Sequence, residues 1–221
     1  MSASPSAPAG PFQRFFREYD RWFDSARGRA IFDLEVAALH RVMGAREGRW
    51  LEVGVGTGRF ASALSVADGL DPAASMLVRA AARGIRAVRG GGEELPFAAG
   101  AFDGVLMVVT ICFLDDPARS LRECRRVVKK EGKLVLGFVP AAGPWGRLYE
   151  SKARAGHRFY SSARLYGAAA VRGLAAAAGF VPAESVSCLF DPPGGKVTDR
   201  SLRPGMDDGA GFVAAAFAPG G

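Results

Sequence analysis

The sequence predicts an α/β fold: a doubly wound, mostly parallel sheet with helices on both faces. Three observations carry this. Short apolar runs alternate with helical patterns from residue 50 to residue 139, the order that builds parallel strands through crossover helices. The first run, 50–53, leads into glycines at 54, 56 and 58 and then a helical stretch over 60–66. That strand–turn–helix arrangement brings backbone N–H groups and a helix N-terminus up to a small ligand. At 221 residues with 49% hydrophobic content, the chain suits one domain with a proper core.

Composition narrows the partners. Lys+Arg 29 against Asp+Glu 22 gives a net charge of +7, and the excess is arginine scattered along the chain. The one dense basic run, Arg122, Arg125, Arg126, Lys129 and Lys130, has helical spacing and reads as a solvated face rather than a phosphate track. A nucleic-acid partner is therefore not expected. No apolar run reaches the roughly 18–20 residues of a membrane span, so no membrane partner is expected. Residues 1–11, rich in Ser, Ala, Pro and Gly, read as a disordered tail without the basic head and apolar stretch of a signal peptide; a cytoplasmic location is the expectation. Cys112, Cys124 and Cys188 form no CxxC pair and lie far from His40 and His157 in sequence. Reduced thiols and no metal follow.

Residues 12–221 are read as a single domain that opens with a helical cap over 12–45. Phe12, Phe15, Phe16, Tyr19, Trp22 and Phe23 recur at spacings of three and four, one aromatic face of a helix over 12–25. Gly28 ends that helix, and 30–43 carries a second apolar stripe through Ile31, Leu34, Ala38 and Val42. At the glycine turn a dinucleotide fingerprint, GxGxxG, would put its third glycine at 59 for close helix–strand packing. Arg59 stands there, so that fingerprint fails. Glu52, on the strand end, would repel a pyrophosphate and suits a ligand carrying an ammonium group.

Asp71 ends the second strand, and a helix follows over 73–83. An acid at that place in an open parallel sheet can accept both ribose hydroxyls of a nucleoside. It can equally cap the helix behind Pro72, and the two roles are compatible. A third strand covers 85–89. A turn over 90–97 leads to a buried fourth strand over 102–109. Asp116-Pro117 opens a helix running to about residue 130; 131–133 is a turn and 134–139 the fifth strand. Residues 140–162 are an irregular insertion containing Trp145, Tyr149, Glu150, His157, Phe159 and Tyr160. An Ala-rich helix over 163–178, stopped by Gly179, precedes a strand over 180–190, a loop over 191–209 and a last strand over 211–218. Asp191-Pro192-Pro193-Gly194 lacks the aromatic of a base-clamping motif and reads as a proline turn.

Several stretches resemble one family. Glu52-Val53-Gly54-Val55-Gly56-Thr57-Gly58 is similar to motif I of the class I S-adenosylmethionine (SAM)-dependent methyltransferases, and Asp71 to Leu77 to their next landmark. Glu93, Leu95, Pro96, Phe97, Phe102 and Asp103 match the third. Pro117, Leu121, Glu123, Arg126, Val127, Lys129, Gly132 and Leu134 match the fourth. Tyr19-x-x-Trp22-Phe23 and Thr110-Ile111-Cys112-Phe113-x-Asp115-Asp116-Pro117 resemble a small stand-alone bacterial and archaeal group (methyltransferase type 11, UbiE-like). The clearest departure is Gly91, where the family often has an acid for the adenine amino group.

The resemblance implies a Rossmann-like sheet of about seven strands with the last antiparallel. It implies SAM as cofactor, S-adenosylhomocysteine (SAH) as product and a small-molecule acceptor. Glu52, Gly54, Gly56 and Gly58 would hold the methionine part and Asp71 the ribose, and Pro72 and Met76 would also contact the cofactor. Gly92, Glu93, Glu94 and Leu95 would hold the adenine. Thr110 and Cys112 would border the transferred methyl, Tyr19 and Trp22 would form a lid, and Tyr149, His157 and Tyr160 would face the acceptor. Alignment of a nucleophile with an activated methyl demands no acid–base motif, and no catalytic residue is assigned. A nucleic-acid methyltransferase and a non-catalytic SAM-binding protein are the alternatives.

Overall fold

The computed structural model describes residues 10–45 and 47–220; the expected tail lies outside them as far as residue 9. Three helices come first: α1 (Pro11–Arg14), α2 (Phe16–Trp22) and α3 (Ala26–Met43). Strands β1 (Trp50–Val53), β2 (Asp68–Asp71), β3 (Arg86–Arg89), β4 (Phe102–Val108) and β5 (Val128–Phe138) alternate with α4 (Arg59–Ala63), α5 (Ala74–Ala82) and α6 (Pro117–Val127). Then come α7 (Pro144–Arg154), α8 (Ala168–Ala177), β6 (Phe180–Cys188), β7 (Arg203–Pro204) and β8 (Phe212–Pro219).

The strands form one sheet in the order β3-β2-β1-β4-β5-β8-β6-β7. β3 through β5 are parallel, and β8 runs antiparallel to both β5 and β6. The doubly wound, mostly parallel sheet thus has eight strands, the added one being the two-residue β7 that pairs with Val186 and Ser187. Winding reverses between β1 and β4, which opens a crevice at the carboxyl ends of those strands.

Successive residues of the central strands feed opposite core layers, because side chains alternate across a sheet. Leu106 and Val108 join Leu34, Leu39, Phe60 and Phe212 under α3 and α4. Val105 and Met107 join Leu121, Val171 and Phe180 under α6 and α8. With both faces covered, the inner stretches of β4 and β5, 105–108 and 134–136, are unbroken apolar runs.

Four expectations are corrected. The aromatic helix is broken at Phe15 (φ −115°, ψ 25°) into α1 and α2. Gly28 does not end it. The residue lies in the first turn of α3, where its N–H is capped by Ser25 Oγ at 3.0 Å, and a Cβ there would collide with the Trp22 carbonyl. The stretch 140–162 is not irregular throughout, since Pro144 opens the eleven-residue α7 from the first helical position that proline favours. Finally, β5 begins at Val128, paired with Phe102, and the register then shifts so that Lys133 meets Gly104. Residues 129–132 are the resulting bulge, not a turn between separate elements.

Candidate active site

A cavity of about 1280 Å³ opens at the carboxyl ends of the strands. The glycine turn forms its floor. Gly54, Gly56 and Gly58 all have positive φ, 74°, 52° and 81°, which glycine adopts without steric cost. Their surroundings differ. A Cβ on Gly54 would strike the Thr110 side chain, one on Gly58 would lie 2.9 Å from Ala80 Cα, and one on Gly56 would meet nothing within 4 Å. Gly54 and Gly56 line the cavity; Gly58 instead lets the start of α4 pack against α5.

Two buried carboxylates flank this turn. Asp71 Oδ2 accepts from Gly56 N at 2.9 Å and Oδ1 from Ala73 N at 2.8 Å. It therefore ties the turn to the head of α5 without being that helix's N-cap, which is Ala73. A carboxylate has about four acceptor positions, so two remain for other donors. Burial raises the pKa of Asp71 and the two backbone donors oppose the rise. Glu52 lies under the turn, lining a smaller hollow that shares Tyr19, Gly54 and Gly56 with the main cavity. Its Oε2 is buried with no hydrogen-bond partner among the described residues. Burial holds its pKa well above the ordinary carboxylate range, partly offset by the Ala61 N–H.

Pro72, Met76, Gly92 and Glu93 line the adjoining wall. Glu93 Oε1 accepts from Asp115 N at 3.1 Å and Asp116 N at 3.5 Å, which joins the loop after β3 to the loop after β4. Glu94 and Leu95 are not brought to the cavity. The Glu94 side chain is 89% exposed, 3.8 Å from Arg119. Leu95 is buried, its N–H donating to Glu123 Oε2 at 2.8 Å and its carbonyl accepting from Arg126 at 2.9 Å. The Glu123 and Arg126 landmarks thus clamp the turn that carries Leu95, Pro96 and Phe97. At the end of β4, Val109 is held at φ 47°, a strained conformation for a β-branched residue. Thr110 Oγ1 then donates to the Val108 carbonyl at 3.0 Å. Cys112 also lines the cavity, its thiol pushed up to about 12 by burial.

The cap and the α7 region close over this floor and meet each other. Phe159 packs on Phe12, Phe15 and Tyr19 with ring centroids 5.4, 6.4 and 6.0 Å away, and Arg158 pairs with Glu18 at 2.6 Å. Gln13 Oε1 accepts from Ser75 N at 3.1 Å, so α1 caps α5. Tyr19, Trp22, Tyr149, His157 and Tyr160 all line the cavity, Trp22 at its exposed rim. Tyr160 stacks between Tyr149 and His157, 4.5 and 4.7 Å from their centroids. Burial and the cations Lys152 and Arg158 lower the His157 pKa, and its Nδ1 accepts from Phe159 N at 3.3 Å, so the ring is neutral at pH 7.

Sequence reasoning missed Glu35, a buried acid of α3 facing the same cavity. A signal existed. The buried stripe of α3 is Ile31, Leu34, Glu35, Ala38, Leu39, Val42 and Met43, and a carboxylate in such a stripe has no reason in packing. Gln13 was missed, and Phe12 and Phe159 were named only as members of the cap and the insertion: the chain reversals that bring these side chains over the cavity leave no mark at the level of residue spacing.

Comparison with known proteins agrees with this geometry. A family profile described as "Methyltransferase domain" matches residues 51–136. An uncharacterised protein of Mycobacterium tuberculosis is 43% identical over 197 residues, 89% of this chain and 69% of that protein. One of Methanocaldococcus jannaschii is 34% identical over 203 residues, 92% of this chain and 96% of the relative. A crystal structure from Thermotoga maritima, solved as a SAM-dependent methyltransferase and possible histamine N-methyltransferase, superposes with a TM-score of 0.87 at 37% identity, covering 94% of this chain and 97% of that one. With motif, sheet and relatives in agreement, the chain belongs to the class I SAM-dependent methyltransferase family.

Proposed function

We propose that the protein transfers a methyl group from SAM to a small-molecule acceptor and releases SAH. The observation that carries this reading is the pair of buried carboxylates around an open glycine turn, one of them with an unsatisfied oxygen. Glu52 Oε2 fits the ammonium of a methionine moiety laid over Gly54 and Gly56, and the remaining acceptor positions of Asp71 fit ribose hydroxyls. Gly92 and Glu93 would border the adenine, with Pro72 and Met76 beneath it. SAM supplies a methyl group on a sulfonium, activated for in-line displacement.

The chain's own part is to align the acceptor and keep water out, which can supply several kcal/mol. Tyr19, Phe12 and Phe159 cover the cavity for that purpose. Cys112 is a protonated thiol at neutral pH and is not proposed as a nucleophile. A mostly apolar concave wall suits a small molecule. Several arginines are already paired: Arg49 and Arg86 with Asp68, Arg59 and Arg83 with Asp20, Arg126 with Glu123. This weakens the nucleic-acid alternative. Coverage of 96% of the methanogen relative fits the short, stand-alone group.

Calorimetry with SAH and with NADH tests the cofactor, and a mass-resolved screen for methyl gain across small acceptors and bulk RNA tests the reaction. SAH binding followed by methyl gain on a small molecule is expected. NADH binding without SAH binding overturns the cofactor assignment, methyl gain on RNA alone overturns the acceptor class, and SAH binding without any methyl gain favours a non-catalytic role.

A further inference from the structure

Five acids are buried among the described residues, and four of them have at least one partner that opposes the burial. Asp20 and Asp68 each hold two arginines. Asp71 accepts from two backbone N–H groups, and Glu52 is offset by the Ala61 N–H. Glu35 is 8% exposed and has no described cation or donor opposing its burial, which pushes its pKa up to about 8. Its carboxyl faces the cavity. An unpaired carboxyl in an apolar wall is costly, and it occupies a stripe position that leucine would fill better.

The groups around it define what would complete it. The phenols of Tyr19 on α2, of Tyr149 on α7 and of Tyr160 lie near enough to feel its charge, as does the Cys188 thiol on β6. Tyr149 and Tyr160 present stacked rings inclined at 27°, and this ring pair already accepts one ammonium, that of Lys152 at 5.8 Å from each centroid. A carboxylate beside aromatic faces is a receptor for an organic cation. Tyr19 feels the charges of Glu35, Glu52 and Asp71 together, so this receptor adjoins the cofactor floor rather than lying apart from it.

We propose that Glu35 selects the acceptor by pairing with the ammonium group of a small amine seated against Tyr149 and Tyr160. This rests on the methyltransferase reading for its biological meaning, but the binding itself does not. The test is calorimetry at pH 8 on wild-type protein and Glu35→Gln. The probes are 2-phenylethylamine, cyclohexylmethylamine and butylamine, each set against the alcohol of the same skeleton, with SAH titrated separately. At least one amine should bind the wild type about tenfold more tightly than its alcohol, as one charge-assisted contact allows. In Glu35→Gln that preference should fall to within about twofold, while SAH affinity stays unchanged. Glu35→Leu, which completes the apolar stripe, serves if the glutamine variant does not fold. No preference for any amine in the wild type, or a preference that survives substitution, overturns the proposal. Amine preference without SAH binding would support it while sinking the methyltransferase reading; SAH binding without amine preference would do the reverse.

Discussion

Arg59 Nε donates to Asp20 Oδ1 at 2.7 Å, and Arg59 Nη2 donates to the Asp20 carbonyl at 2.8 Å. The residue standing where a dinucleotide turn would have glycine is therefore the one that fastens the aromatic cap to the helix behind the turn. Arg83 joins them, with Nη2 at 3.0 Å from both Asp20 carboxylate oxygens and Nη1 at 2.7 Å from the Thr57 carbonyl. Burial works against the Asp20 carboxylate, but the two arginines outweigh it and hold its pKa below the ordinary range.

Asp20→Ala should lower stability by about 2–4 kcal/mol, because it removes the acid shared by two partly buried arginines and leaves Arg59 only Asp24. The cap should loosen first, seen as faster hydrogen exchange over residues 12–23. A carboxyl with a depressed folded pKa gives stability that is present above its unfolded pKa of about 3.9 and is lost as pH falls below it. The difference between wild type and Asp20→Ala should therefore shrink on acidification from pH 5 toward pH 3. A constant difference across that window would show that the charge of Asp20 is not what matters.

Asp71 gives a second test. Asp71→Ala removes the acceptor for Gly56 N and Ala73 N together, costing about 1–3 kcal/mol of stability without ligand. SAH affinity should fall at least about tenfold, the loss expected for charge-assisted bonds to hydroxyls. Asp71→Asn keeps an acceptor for one backbone donor and should recover part of the stability but little of the affinity. Full SAH affinity in Asp71→Asn would confine the residue to holding the turn.

The sheet was legible because β1 and β4 carry apolar runs, and β1 and β2 are marked by the residues that end them. The glycines at 54 to 58 and Asp71 are constrained by backbone geometry, and such constraints are local enough to be seen in a sequence. Glu93 and Glu123 were visible as landmarks, but not their work, which is to bond N–H groups of loops about twenty to thirty residues away. Helix α7 was hidden because Gly143, Gly146 and scattered charges mask a Trp145–Tyr149 stripe. Contact of Phe159 with Phe12 joins segments nearly 150 positions apart, and no local pattern encodes it.

Glu35 predicts an inverted pH dependence. Its folded pKa of about 8 exceeds the unfolded value of about 4.3, so the folded state holds a proton that the unfolded state has lost. Stability is then fullest below the lower value and declines as pH rises toward 8, by at most about 1.4 kcal/mol per pH unit. The neighbouring phenols and the Cys188 thiol are shifted upward, out of this window, and the difference between wild type and Glu35→Gln cancels His157, which both proteins carry. Melting temperatures from pH 6 to pH 8 should show Glu35→Gln gaining on the wild type as pH rises. Parallel curves would mean that Glu35 is ionised and matched in the folded protein.

Gly56 and Gly58 separate what the turn does for a ligand from what it does for the fold. Both need left-handed backbone, so alanine at either costs about 1–2 kcal/mol. At Gly58 the new methyl also meets Ala80 Cα at 2.9 Å and Ile85 at 3.2 Å. Those are a helix backbone and a core side chain that cannot swing away, which adds about 1–3 kcal/mol of overpacking. At Gly56 the methyl meets nothing within 4 Å, and both hollows around the turn border this residue. Gly58→Ala should therefore melt markedly lower with SAH affinity retained in the folded fraction. Gly56→Ala should lose little more than its backbone strain and yet bind SAH at least about tenfold more weakly, since a methyl there fills the space over the turn in which the ligand would lie. Thermal melts and calorimetry on the two variants decide the matter. Equal affinity in Gly56→Ala and wild type would mean that the ligand does not lie over this turn, and the assignment of Glu52 would fall with it.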